Sequence, residues 1–120
     1  MKNNINKKQY TCPFEFAMDA INGKWKGLVL WHLSKGTLRY GELRKLLGNI
    51  TQKMLTQTLR ELENCSVIHR EVYPVVPPKV EYSLTKYGRD LIPIVEQLNT
   101  WGQNTTKELG LFENKCEYGD

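Results

Sequence analysis

Two short amphipathic segments that meet at a glycine, between Tyr40 and Asn64, constrain this chain more than any other feature. YGELRKLL sets Leu43, Leu46 and Leu47 on one stripe and Glu42, Arg44 and Lys45 on the other, which predicts a two-turn helix. Gly48-Asn49 offers the left-handed or turn geometry that breaks it, Ile50 is expected to pack inward, and the Thr51 hydroxyl is placed to cap the next helix. In TQKMLTQTLREL, Leu55, Leu59 and Leu62 cluster on one side of a helical wheel. Lys53, Gln57, Arg60 and Asn64 lie opposite, with Thr56 beside them and Gln52 in the exposed first turn. The pattern poses a question: what is the second, polar side for?

The flanks narrow the answer. Upstream, Pro13 opens a segment in which Phe14, Ala17, Met18 and Ile21 recur at helical spacing, and Asn22-Gly23 ends it. Trp25 to Leu33 is apolar almost all round, so it should be the most buried helix. Downstream of Asn64 the period shifts from 3.6 toward 2. Val80, Tyr82 and Leu84 alternate with Lys79, Glu81 and Ser83 as a half-buried strand, and the β-rich stretch Val67 to Val75 is its expected partner. Val76-Pro77-Pro78 cannot continue a ladder, because proline has no amide donor, and it is read as a stiff hairpin tip. Thr85 then caps a long last helix carrying Leu91, Ile94, Val95, Leu98 and Trp101, which Pro93 is expected to kink or divide. The order helix, helix, short helix, turn, helix, hairpin, helix is that of a winged helix-turn-helix: mainly α with a small β-hairpin.

With 120 residues the chain has room for one such domain. We delimit a flexible N-terminal arm at 1–11, the domain at 12–111 and a C-terminal tail at 112–120. No apolar run approaches the length of a membrane span and the N-terminus lacks a signal-peptide pattern, so the expectation is a soluble, cytoplasmic protein with no membrane partner. Charge is uneven: residues 1–36 sum to +4, residues 37–87 to +3 and residues 88–120 to −3. Such asymmetry suits a protein that turns one surface toward a polyanion. Cys12, Cys65 and Cys116 are far apart and odd in number, which argues against a disulfide framework and a zinc site. No cofactor or metal is expected. His32, His69 and Glu71 have no placement near a cysteine that would make a catalytic set, and the chain is not expected to be an enzyme.

In a helix-turn-helix the second helix enters the major groove and offers polar and cationic side chains to base edges. Gln52, Gln57 and Arg60 supply the amide and guanidinium forks that bidentate base reading requires. Lys53, Arg44 and Lys79 suit phosphate contact, while Thr51 and Thr56 complete the candidate surface. The bland reading of the same face is a solvated surface on a winged helix that contacts only protein. The two differ in salt dependence, which is steep for phosphate neutralisation.

Successive motifs, CPFEFAMDAINGKWKGLVLWHL, RYGELRKLL, ITQKMLTQTLREL and HREVYPVVPPKVEYSLTKYGRDL, resemble those of the HxlR family of bacterial transcription regulators. The resemblance runs from Cys12 to Trp101 and is most specific at Gly-Lys-Trp 23–25, Gln-Lys-Met-Leu-Thr 52–56 and VPPKVEYSLT 76–85. Departures are small: Asn22 stands where a second glycine is common, Gly27 where a bulkier residue is usual, and Thr51 where serine is frequent. The resemblance implies a double-stranded DNA partner, an inverted-repeat operator, and a homodimer built from the first and last helices. Phe14, Met18, Leu98 and Trp101 are more apolar surface than one small core needs. It also implies thiol sensing of oxidants or electrophiles at Cys12, which precedes Pro13 at a helix N-terminus, where unpaired amides and the helix dipole favour an anion. Cys116 of a second subunit is a candidate to resolve an oxidised Cys12, and Cys65 is read as a small core residue. No residue identifies a small-molecule effector.

Overall fold

The computed structural model describes residues 9–111. Most of the expected arm, all of the expected tail and Cys116 lie outside the described residues. The elements run α1 (Pro13–Ile21), α2 (Trp25–Leu33), β1 (Leu38–Arg39), α3 (Tyr40–Leu47), α4 (Gln52–Asn64), β2 (Ile68–Tyr73), β3 (Lys79–Leu84) and α5 (Lys86–Leu109). The helices and both hairpin strands fall where the periodicity places them.

The sheet has three strands rather than two. β1 pairs antiparallel with β3, Leu38 opposite Tyr82 and Arg39 opposite Glu81, so β3 is central in the order β1-β3-β2. A strand of two residues is too short to show alternation, and only its tertiary pairing defines it. In the hairpin the register runs from Ile68 opposite Leu84 to Tyr73 opposite Lys79. Tyr82 and Leu84 are buried, whereas β2 turns inward chiefly at Ile68 and leaves His69 to Val72 exposed.

One core joins every layer. Val29 and Leu30 of α2, Leu43 and Leu47 of α3, and Leu55, Leu59 and Leu62 of α4 close on Ile68, Tyr82, Leu84 and Val95. Each fully buried leucine contributes about 1.5–3 kcal/mol relative to exposure. Ile50 is buried at the corner between α3 and α4, where Gly48 adopts φ +75°. Leu46 departs from expectation: it is 51% exposed, while Leu43 and Leu47, one turn apart on the helix, are buried. Leu46 lies roughly 100° round the helix from Leu47, at the edge of the stripe. Thr51 caps α4 by accepting from the Met54 amide at 3.0 Å.

Thr85 ties α5 to the start of the wing. Its hydroxyl accepts from the Gly88 amide at 3.1 Å and donates to the Ser66 carbonyl at 2.6 Å. Gly88 sits so close to the start of the wing that a Cβ there would overlap the Val67 carbonyl oxygen. Pro93 does not divide α5, which continues as 24 residues of helix around it. A proline removes one intrahelical bond, and the turns on both sides persist here.

Candidate nucleic-acid interface

The candidate side chains come from three elements: Arg44 from α3, Thr51 to Arg60 from the start and body of α4, and Lys79 from β3. Leu55, Thr58, Leu59 and Leu62 face the core, and the opposite face carries Gln52, Lys53, Gln57 and Arg60, all exposed. These four and Thr56 line a single open depression. Thr51 is exposed at its edge, its side chain occupied in capping. Arg44 is exposed in the last turn of α3 and stands apart from the depression, as does Lys79.

Lys79 is the least free of the expected contacts. Half-buried at the start of β3, its ammonium lies 3.7 Å from Glu81 Oε2 and 4.7 Å from the centre of the Tyr73 ring. Thr56 is also engaged: Tyr40 Oη lies 3.2 Å from its Oγ1 and donates to the Gln52 carbonyl at 3.1 Å. With its one proton given to Gln52, the tyrosine oxygen accepts from Thr56. The pair thereby fixes the first turn of α4 against the start of α3. Nothing in the sequence singles out Tyr40, since a position at a predicted helix start carries no signal of a tertiary partner. A second depression, lined by Tyr40, Thr56, Leu59, Arg60, Glu63, Arg70 and Tyr82, separates α4 from the sheet. Arg70 there is engaged by Glu63 at 3.3 Å.

A buried lysine lies behind this surface. Lys26 of α2, only 8% exposed, donates to the Asp19 carbonyl at 2.7 Å and lies 3.0 Å from Glu61 Oε1. Glu61 Oε2 in turn accepts from Gln57 Nε2 at 2.6 Å. The Gln57 hydrogen bond, and after it Lys26, hold the Glu61 carboxyl below the usual glutamate value. A lone lysine inside an apolar helix was the available signal, since lysine is almost never buried unless paired.

At the other end, Cys12 is the exposed N-cap of α1, and its carbonyl accepts from the Glu15 amide at 3.0 Å. Tyr10, inside the expected arm, is anchored to α1: its hydroxyl donates to Asp19 Oδ2 at 2.6 Å and its ring meets Phe16 edge-on at 5.2 Å. The bond to Asp19 pushes the Tyr10 pKa up to about 12. Cys65 is buried at the end of α4. His69 is exposed and pairs with Glu71 at 2.7 Å. Among the described residues no cluster of His, Cys, Asp or Glu is arranged to hold a metal ion, and no helix is long and apolar enough to cross a membrane. Phe14 of α1 and Ile94, Leu98 and Trp101 of α5 are exposed, Phe14 at 66% and Trp101 at 67%, whereas Met18 is half-buried.

The sequence model of HxlR-like helix-turn-helix proteins matches residues 20–109. The chain belongs to that family. The match continues past Trp101 along α5 and begins after Cys12. Among HxlR relatives, the HTH-type transcriptional regulator YybR of Bacillus subtilis (strain 168) is 52% identical over 113 residues, covering 94% of this chain and 90% of YybR. The redox regulator HypR in its reduced form superposes with a TM-score of 0.76 at 50% identity, over 84% of this chain and all of that one. HypR in its oxidised form gives 0.70 at 55% identity, over 78% and 96%. The fold and family make this chain a helix-turn-helix regulator of the HxlR type.

Proposed function

We propose that the chain binds an inverted-repeat DNA operator as a homodimer, laying α4 of each subunit in the major groove. The observation that carries this reading is the exposure of Gln52, Lys53, Gln57 and Arg60 on one side of α4, opposite buried Leu55, Leu59 and Leu62, around one depression that Thr56 also lines. Gln52, Gln57 and Arg60 read base edges, Lys53 and Arg44 hold phosphates, Lys79 adds a further phosphate contact from the wing, and Thr51 and Thr56 keep the first turn of α4 in position. A two-fold arrangement sets the two recognition helices roughly 34 Å apart, one turn of DNA. The exposed apolar side chains of α1 and α5 supply the subunit contact. A regulator of this kind acts in the cytoplasm, where the DNA is, and needs neither cofactor nor metal.

Thiol control at Cys12 is the regulatory part of the same proposal. It is supported by likeness to HypR, a redox regulator with both oxidised and reduced structures, and by the exposure of Cys12 at the start of a helix of the subunit contact. Selection of bound fragments from random DNA, with reduced and diamide-treated protein in parallel, tests both parts. An inverted repeat whose affinity falls steeply with salt, and a changed gel shift after oxidation that Cys12→Ser abolishes, are the expected results. Tight binding to one unrepeated half-site counts against the dimeric operator. An unchanged shift after confirmed Cys12 modification removes the switch. A shallow salt slope with no selected sequence favours a winged helix that contacts only protein.

A further inference from the structure

Glu61 is an unusual residue to find on a DNA-facing helix. One turn beyond Gln57 and next in sequence to Arg60, its carboxylate would repel phosphates if it were free. It is not free. One oxygen is held 3.0 Å from the Lys26 ammonium, whose side chain is 10% exposed and itself anchored on the Asp19 carbonyl, and the other oxygen accepts from Gln57 Nε2 at 2.6 Å. An ordinary Gln and Glu pair four apart on a helix surface interacts weakly because both side chains move. Here the acceptor is pinned by a tertiary contact from α2.

The pinned carboxylate restricts Gln57. An ionised carboxylate only accepts hydrogen bonds, so the amide nitrogen of Gln57, and not its oxygen, must face Glu61. One of the two amide protons is used there. Where the proton given to Glu61 is the one anti to the carbonyl oxygen, the oxygen and the N–H on its own side remain available side by side, the acceptor and donor pair that matches adenine N6–H and N7 in the major groove. We propose that Glu61, anchored by Lys26, is a positioning residue that fixes the amide orientation of Gln57 and thereby sets an adenine preference at one operator position. The proposal rests on the reading of α4 as the DNA-contacting helix. It assigns to α2, which lies behind α4, a part in base selection.

The test compares fragments selected from random DNA by wild type, Gln57→Ala and Glu61→Gln, with thermal melts and salt slopes measured alongside. Wild type should favour an A·T pair at one position per half-site by roughly five- to hundredfold, and Gln57→Ala should lose that preference. Glu61→Gln should lose most of it at the same position, since a glutamine at 61 accepts either orientation of Gln57, while other positions and the salt slope stay as in wild type. Retention of the wild-type preference by Glu61→Gln overturns the proposal and leaves the DNA reading intact, as does an even loss at all positions. A Gln57→Ala profile identical to wild type also overturns it. Failure of wild type to select any sequence removes the underlying reading itself. A second measurement is independent of whether the variant folds: in spectra of 15N-labelled, DNA-free wild type, one of the two Gln57 amide protons should be shifted downfield and exchange slowly. Equal exchange of both with water overturns the proposal.

Discussion

At the scale of single residues, the proposed interface combines a side chain of α4 and a side chain of the wing that differ in freedom. Arg60 is exposed and carries a planar fork, so Arg60→Ala should cost on the order of 1–3 kcal/mol of operator affinity and relax preference at one base position. The Lys79 ammonium is shared between the Glu81 carboxylate and the face of the Tyr73 ring, so Lys79→Ala should weaken all sequences alike and by less. Quantitative gel shifts on the selected operator and on its single-base variants distinguish the two. Equal loss at every base position from Arg60→Ala would contradict its reading role. Both residues were legible from sequence as candidates. Their difference in freedom was not, because it depends on which acid and which ring the wing brings beside Lys79.

At the scale of elements, α4 is tied to the body of the protein by polar contacts that no helical wheel displays. Glu61 is held below its ordinary value of 4.5 by Gln57 and Lys26, so its charged form is favoured by folding. Its contribution to stability is therefore fully present above pH 4.5 and declines as pH falls from there through its lower folded value. Thermal melts should show wild type above Glu61→Gln at neutral pH, with the gap narrowing on acidification below that point. A gap independent of pH would show that the charge is not what Lys26 requires. At the junction of α5 with the wing, Gly88→Ala should lower stability by about 1–3 kcal/mol, a loss of several degrees in Tm, because the new methyl group meets the backbone carbonyl of Val67 and not a yielding side chain. Gly88 in a helix reads from sequence only as a weak helix former. The approach of Val67 that makes it necessary is a product of packing.

At the scale of the whole molecule, α4 turns polar and cationic side chains outward, while α1 and α5 each keep large apolar side chains exposed. Leu98 and Trp101 remain exposed on α5 with Phe14 on α1, which the core of one chain leaves uncovered. Trp101→Glu should shift the oligomeric state toward monomer in sedimentation measurements. It should also reduce affinity for a complete inverted repeat much more than for a single half-site, since the second recognition helix then binds without the benefit of linkage. Wild-type sedimentation of Trp101→Glu with unchanged operator affinity would place the subunit contact elsewhere.

The sequence by itself determined which segments are helices, where the glycines and threonines start and stop them, and which side of α4 is apolar. Those are local consequences of periodicity, capping and backbone freedom, carried by residues a few positions apart. Tertiary structure alone decided that Leu38 and Arg39 form a third strand, that Leu46 faces outward, that α5 passes through Pro93 unbroken, and that Lys26 is buried against Glu61. Each depends on a partner remote in sequence or on packing across an element boundary. A buried charge in particular is tolerated only where folding delivers its counterion.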